Sequence, residues 1–234
     1  MKIHRFIGEF NLSGTHTEIT DPKIIKQIKD VLRIKKGEKV VLSDGKGKEV
    51  EMTIDILSKK SISGSIKKIK KSANIITLND TRKINLYLAI LKKENFELAV
   101  QKAVEIGVSS ITPVITERTI KTGLNIDRLN KIIREASEQS GRSTVPTLSP
   151  ILKFQEALED ANGEKIIFHL TTEEYKVNKN TKEISIFIGP EGGFTEKEIA
   201  WANYANFKVA SLGPLTLRGE TAAIVATYRT VTGI

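Results

Sequence analysis

Three charged side chains, Glu191, Arg218 and Glu220, sit inside two otherwise apolar stretches rich in glycine and proline. The first stretch is Gly189-Pro190-Glu191-Gly192-Gly193-Phe194. The second is Leu212-Gly213-Pro214-Leu215-Thr216-Leu217-Arg218-Gly219-Glu220-Thr221-Ala222. A carboxylate can accept a proton and a guanidinium can stabilise developing negative charge, so the three residue types suit acid–base chemistry beside a forming anion. Glycines let a ligand approach the backbone closely. Each glutamate equally suits a helix-start anion, because each stands next to a helix N-terminus. His169, beside Leu170, reads as a packed strand-end residue rather than a base.

Several chemistries are excluded. The phosphate loop G-x-x-x-x-G-K-[ST], a G-x-G-x-x-G after a strand and the serine elbow G-x-S-x-G are all absent. With no cysteine there is no disulfide, thiolate nucleophile or Cys-based metal centre. His4, His16 and His169 lack ligand spacing, so no metal is expected. What is left is a pocket of backbone amides, carbonyls and aliphatic side chains, suited to a neutral purine with a short polar tail.

The elements that must position these loops alternate strand and helix from residue 84 onward. Ile84 to Leu91, Ile111 to Ile115, Lys165 to Leu170, Ile184 to Ile188 and Val209 to Leu212 read as strands. Helical stripes run through Phe96, Ala99, Val100, Ala103 and Val104, and through Ile126, Leu129, Ile132, Ile133 and Ala136, closed by Gly107 and Gly141. Thr195 and Glu198 form a capping-box signature, and a last helix is expected over Gly219 to Val231. This alternation predicts a parallel, covered sheet with a crevice at the carboxyl ends of its strands.

The first third differs. Lys39 to Ser43, Glu49 to Ile56 and Ile62 to Ile69 read as strands of a small barrel, with a hairpin turn at Asp44-Gly45-Lys46-Gly47. One helix starts at Asp21-Pro22, with Ile24, Ile25, Ile28 and Leu32 as its stripe. Charge divides the same way. Residues 1–71 hold 17 Lys and Arg against 9 Asp and Glu, a net of +8, which leaves +1 of the total +9 for the rest. A compact basic module points to a polyanion, most plausibly nucleic acid. The run from Lys67 to Lys71 suits RNA contact and a lysine-protected strand edge equally. No run has signal-peptide or membrane-span character, so a soluble, cytoplasmic protein is expected.

Both loops together closely resemble the RsmE family, SPOUT-class methyltransferases that use S-adenosylmethionine to methylate N3 of a uridine in 16S ribosomal RNA. The resemblance runs the length of the chain. It takes in His4-Arg5-Phe6, Val31-Leu32-Arg33 with Gly37 and Asp44 to Gly47. It continues through Gln101 to Val108, Ile111 to Pro113, Glu117-Arg118, Glu135 to Arg142 and Val145-Pro146. It implies an α/β fold: a PUA-like, RNA-binding β-barrel over residues 1–72 and a SPOUT methyltransferase domain with a deep trefoil knot over 73–234, working as a homodimer. It also implies cofactor contacts at Leu170, Ile188, Gly189, Gly193, Leu212, Gly213, Leu217 and Arg218. N3 of uracil must lose a proton and lies on the pairing edge, so the base must be unpaired or flipped. Arg218 is the candidate for charge stabilisation, and Glu191 and Glu220 are candidate bases. Arg5, Arg33, Arg118 and Arg142 are candidates for RNA contact. Gly219 replaces the family's usual Thr, which predicts a looser turn after Arg218, and a His common before the Val-Leu-Arg block is absent. The rival readings are a non-catalytic RNA-binding protein of the same fold and a nucleotide-dependent enzyme that would prefer ATP to the methyl donor.

Overall fold

The computed structural model describes residues 3–69, 82–120, 122–171, 173–178 and 180–233. The expected boundary between residues 72 and 73 and the end of the Lys67 to Lys71 run lie outside them. The described chain divides into two compact units, one from Met1–Ile75 with Ser137–Val145 and one from Ile76–Ala136 with Pro146–Ile234.

In the first unit, strands β1 (His4–Ile7), β2 (His16–Ile19), β3 (Lys39–Ser43), β4 (Glu49–Leu57) and β5 (Ile62–Lys68) form a sheet in the order β1-β3-β4-β5-β2. The β3–β4 hairpin turns at Asp44, whose carboxylate accepts from the Lys46 and Lys48 amides at 2.7 and 3.1 Å. Such an Asx turn satisfies amides that the ladder cannot reach. β4 alternates buried and half-buried residues until a bulge between Ile54 and Ile56 turns Ile56 outward. Phe6, Ile19, Ile28, Leu42, Met52 and Ile54 make the core. The expected helix begins as read, with Asp21 capping the Lys23 amide at 2.7 Å over α1 (Pro22–Lys26). It then widens into a π turn, Gln27–Val31, in which the Leu32 amide reaches the Gln27 carbonyl at 2.9 Å. Ile24, Ile25 and Ile28 are buried as the stripe requires. This unit is not contiguous in sequence: Ser137–Val145 joins it through the Ile7 amide on Glu138 (2.7 Å) and the Val145 amide on Gly45 (2.9 Å).

The second unit carries β6 (Lys83–Ala89), α2 (Lys93–Ile106), β7 (Ser110–Ile115), α3 (Ile126–Ser140, whose last turn from Ser137 belongs to the first unit), β8 (Thr147–Leu148), β9 (Leu152–Lys153) and α4 (Phe154–Asp160). After these come β10 (Glu164–Phe168), β11 (Glu183–Ile188), α5 (Glu196–Tyr204), β12 (Lys208–Ala210) and α6 (Gly219–Thr232). The strands run β12-β10-β11-β6-β7-β8, with β9 also against β7, and every pairing is parallel. Strands so covered are buried on both faces and largely apolar, as Ile184 to Ile188 shows with Ser185 its one polar residue. Phe187 is central: its ring stacks on Tyr87 at 4.4 Å and meets Phe154 and Phe207 edge-on at 6.2 and 4.9 Å. The Tyr87 hydroxyl donates to Asp160 at 2.7 Å, and burial first, then that carboxylate, raises its pKa.

Gly64 is the tightest point of the first sheet. It faces Ile54, and a Cβ there would run into the Thr53 carbonyl. Gly64→Ala is expected to lower stability by about 1–3 kcal/mol, the usual cost of overpacking. An unchanged denaturant midpoint would show that β4 and β5 can separate freely.

Candidate active site

The chain leaves β11 at Ile188 and must turn at once, because Phe194 folds back into the core beneath the strand. A Cβ on Gly189 would press on the Phe194 ring at 3.2 Å, so glycine is what lets the ring in. The Phe194 ring, 3% exposed, lies 5.4 Å from that of Phe154. The turn closes with the Gly193 amide on the Pro190 carbonyl at 2.8 Å, and Gly193 takes φ +69°. α5 then opens on the expected capping box. The Thr195 hydroxyl accepts from the Glu198 amide at 3.3 Å, and the Thr195 amide donates to the Glu198 carboxylate at 2.9 Å.

The second loop leaves β12 through Ser211, whose hydroxyl bonds both the amide and the carbonyl of Gly213 at 3.2 and 2.8 Å. Gly213 has φ +142°. The loop ends at Arg218, the cap of α6, whose carbonyl accepts from the Ala222 amide at 2.8 Å. β11 and β12 are not paired with each other. Both flank β10, so the segment after β10, His169 and Leu170, lies between the two loops. The three segments and Arg118 wall a cavity of about 290 Å³, at the small end of the usual range for ligand pockets.

Seven of the eight residues expected at the cofactor line this cavity: Leu170, Ile188, Gly189, Gly193, Leu212, Gly213 and Leu217. Arg218 is exposed at the loop's end and is not part of the wall. Glu191 lines the wall, and its carboxylate accepts from the Lys92 amide, the cap of α2, at 3.0 Å. It therefore serves as a helix-start anion for α2. Glu220 is 9% exposed in the first turn of α6, and its Oε2 has no hydrogen-bond partner among the described residues. His169 is in the wall, half-buried, with its amide on the Ala210 carbonyl at 3.0 Å. The expected looseness after Arg218 is not observed. Gly219 is buried, and a Cβ there would lie 2.8 Å from the Leu91 side chain, closer than carbon atoms tolerate.

The candidate RNA contacts differ in their partners. Arg5 pairs with Glu49 at 2.8 Å. Arg142 donates to the Thr144 carbonyl at 3.2 Å, and burial pulls its pKa down to about 10, which still leaves it charged at neutral pH. Arg33 is exposed and holds φ +53°, a conformation seldom taken by a bulky residue. Arg118 is turned to the glycine loop: its guanidinium donates to the Gly192 carbonyl at 2.6 Å and reaches the Phe194 carbonyl at 3.5 Å.

Residue-by-residue reading missed Glu198 as more than a cap. Its carboxylate is 1% exposed and accepts from the Glu117 amide at 2.9 Å as well as from Thr195. One buried anion thus ties the segment after β7 to the segment after β11, and Arg118 clamps the same pair from the other side. The Glu117-Arg118 pair was visible in sequence, but nothing local pairs it with a residue 81 positions away.

Comparison with known proteins places this geometry. An RNA methyltransferase domain model matches residues 78–230, and an RNA methyltransferase PUA domain model matches residues 19–67. The chain is 32% identical to the ribosomal RNA small subunit methyltransferase E of Rickettsia conorii, covering 97% of this chain and 94% of that protein. It is similar to the crystal structure of a ribosomal RNA small subunit methyltransferase E from Neisseria gonorrhoeae bound to S-adenosyl methionine. There the TM-score is 0.86 at 32% identity, over 97% of this chain and 95% of that one. A Legionella pneumophila protein solved with its bound cofactor SAM gives 0.81 at 31% identity, over 97% and 96%.

Removing the buried anion tests the tie. Glu198→Ala leaves the Glu117 and Thr195 amides without their acceptor, at a cost of roughly 1–3 kcal/mol each. Faster amide hydrogen exchange at Glu117, Gly193 and Thr195 is expected, with exchange in β4 and β5 unchanged. Native exchange at all three would mean the loops hold without Glu198.

Proposed function

Because the chain belongs to the ribosomal RNA small subunit methyltransferase E family, we propose that it methylates N3 of a specific uridine in 16S ribosomal RNA, using S-adenosylmethionine. The observation that carries this reading is the cavity itself, walled by two glycine loops at the carboxyl ends of parallel strands. Its walls fit such a donor. Leu170, Ile188, Leu212 and Leu217 present aliphatic surface to a purine, and the backbone around Gly189, Gly193 and Gly213 presents amides and carbonyls to the donor's polar edges and its sulfonium. Among the described residues the cavity wall holds no lysine, and its arginine, Arg118, is taken up by the Gly192 carbonyl, which favours the methyl donor over a nucleoside triphosphate.

When bound, S-adenosylmethionine supplies a methyl group already activated on sulfur, so the residues need only align an in-line displacement and manage one proton. Glu191 reaches the cavity and is the carboxylate we assign to taking the N3 proton. Its bond from the Lys92 amide fixes its position. Arg218, exposed at the mouth, offsets the charge that builds on the uracil oxygens. Glu220 is assigned to holding the start of α6 rather than to the reacting base, because it is outside the cavity wall.

The wider reading extends over the whole chain. Residues 1–72 act as the RNA-binding PUA-like barrel and 73–234 as the SPOUT methyltransferase domain with its deep trefoil knot. The return of β12 to the far side of β10, after β11 has formed on its near side, supports that threading. The protein works as a homodimer. Leu170, Leu215 and Tyr228, large apolar residues 60%, 75% and 52% exposed, are the surface offered for it. The substrate is the RNA or the small ribosomal subunit, in the cytoplasm. No described helix is long and apolar enough to cross a membrane, and the described residues contain no cluster that would hold a metal.

Incubating the protein with S-adenosylmethionine and small subunits from cells lacking it, then digesting the RNA to nucleosides, tests the activity. One 3-methyluridine per subunit is expected, and its absence with both free RNA and subunits would sink the reading. Arg218→Ala is expected to lower kcat by about 10²–10³, the usual loss for a donor to a developing oxyanion. Near-normal turnover would remove Arg218 from the chemistry.

A further inference from the structure

We infer that the first unit docks the RNA backbone in a lysine cleft between the α1/π-turn segment and the β4–β5 turn. This deepens the RNA reading above and rests on it. Three of the four arginines that looked suited to phosphate are engaged elsewhere, Arg5 with Glu49, Arg118 with Gly192 and Arg142 with Thr144, and the fourth, Arg33, is exposed but does not line the cleft. The lysines are placed differently. Lys26, Lys29, Lys59 and Lys60 line one cleft of about 390 Å³, with Pro22, Ile25 and a single acid, Asp30. Lys26, Lys59 and Lys60 are exposed and make no ion pair among the described residues.

The cleft is built rather than incidental. Ser58 closes the β4–β5 turn on itself. Its hydroxyl accepts from the Lys60 and Ser61 amides at 3.2 and 2.9 Å, donates to the Ser61 carbonyl at 2.8 Å, and its own amide donates to that carbonyl at 2.9 Å. With the turn's polar groups consumed internally, the Lys59 and Lys60 side chains project into solvent at a fixed point. The Lys29 ammonium donates to the Ser58 carbonyl at 3.1 Å and joins that turn to the π turn. The π turn in turn widens the helix where Lys26, Lys29 and Asp30 face the cleft. Four cations against one anion in a concave, shallow-walled site give a field suited to consecutive phosphates, and lysine serves there as a point charge. The partner is therefore a phosphodiester backbone, read without base specificity. Sequence choice is left to the second unit.

The test uses the full chain and a transcript of the small-subunit RNA, with binding measured from 0.05 to 0.3 M salt. The triple variant Lys26→Glu, Lys59→Glu and Lys60→Glu is expected to bind about tenfold or more weakly at 0.1 M salt. Its log–log salt slope should be shallower by about 2, at roughly 0.7 per lost contact on single strands. The triple Lys→Arg variant should keep the native slope, and both should bind S-adenosylmethionine as the parent does. A steep parental slope that the Glu variant shares would overturn the cleft and leave the RNA reading standing. A flat parental slope would sink the RNA reading itself. Loss in the Arg variant would also overturn the proposal, because charge would not be the determinant. So would loss of binding to anionic phosphatidylserine vesicles with RNA binding intact. If the Glu variant fails to fold, the Lys→Gln triple replaces it with the same expected direction.

Discussion

The crevice of this protein depends on one buried carboxylate. Glu198 accepts amides from two chain segments that are far apart in sequence, one following β7 and one following β11. Burying an anion is costly unless donors surround it. Here the donors are backbone amides, and the carboxylate itself sits in the first turn of α5, where the dipole also favours negative charge. The arrangement is self-consistent: the capping box needs the acid, the acid needs the second amide, and that amide belongs to the segment bearing Arg118. Arg118 then holds the carbonyls of Gly192 and Phe194. The glycine loop is therefore fixed from both its polar sides, while Phe194 fixes it from below by packing on Phe154.

Such a loop can present its backbone to a ligand without collapsing onto itself. The second loop is held by a different device, the Ser211 hydroxyl spanning Gly213. β10 between the two strands sets the spacing of the loops. A site made this way recognises shape and hydrogen-bonding edges rather than charge. It suits a methyl donor whose reactive group needs alignment more than polarisation. Charge has instead been placed in the first unit, where it can attract RNA over a distance comparable with the Debye length.

Much of this was legible in the sequence. The 3.6-residue stripe of Ile24, Ile25 and Ile28, the box at Thr195 and Glu198 and the apolar run from Ile184 to Ile188 each carry their local cause with them, and the structure realises each one. The two glycine loops were visible because glycines and prolines so closely spaced cannot all sit in a regular element. Other features depend on partners distant in sequence. β1 and β2 are short and polar, so their pairing and not their pattern makes them strands. The π turn needs one carbonyl to choose an amide five residues on, which composition does not encode. The return of Ser137–Val145 to the first unit rests on Glu138 meeting the Ile7 amide. Among site residues, the aliphatic and glycine positions expected at the cofactor line the cavity wall. The arginines were less legible: a guanidinium suits a phosphate and a backbone carbonyl equally, and only the fold decides which it meets. Gly219 is a similar case, since flexibility was expected where close packing against Leu91 is what excludes a side chain.

Under the proposed function, the crevice between the two glycine loops holds a methyl donor and not a nucleotide. Calorimetric titration of the full chain with S-adenosylmethionine, and separately with ATP, addresses it directly. Saturable binding of S-adenosylmethionine that Glu198→Ala weakens, with ATP binding far more weakly or not at all, is expected. No heat with the methyl donor at high micromolar concentration, or tighter binding of ATP, would contradict it.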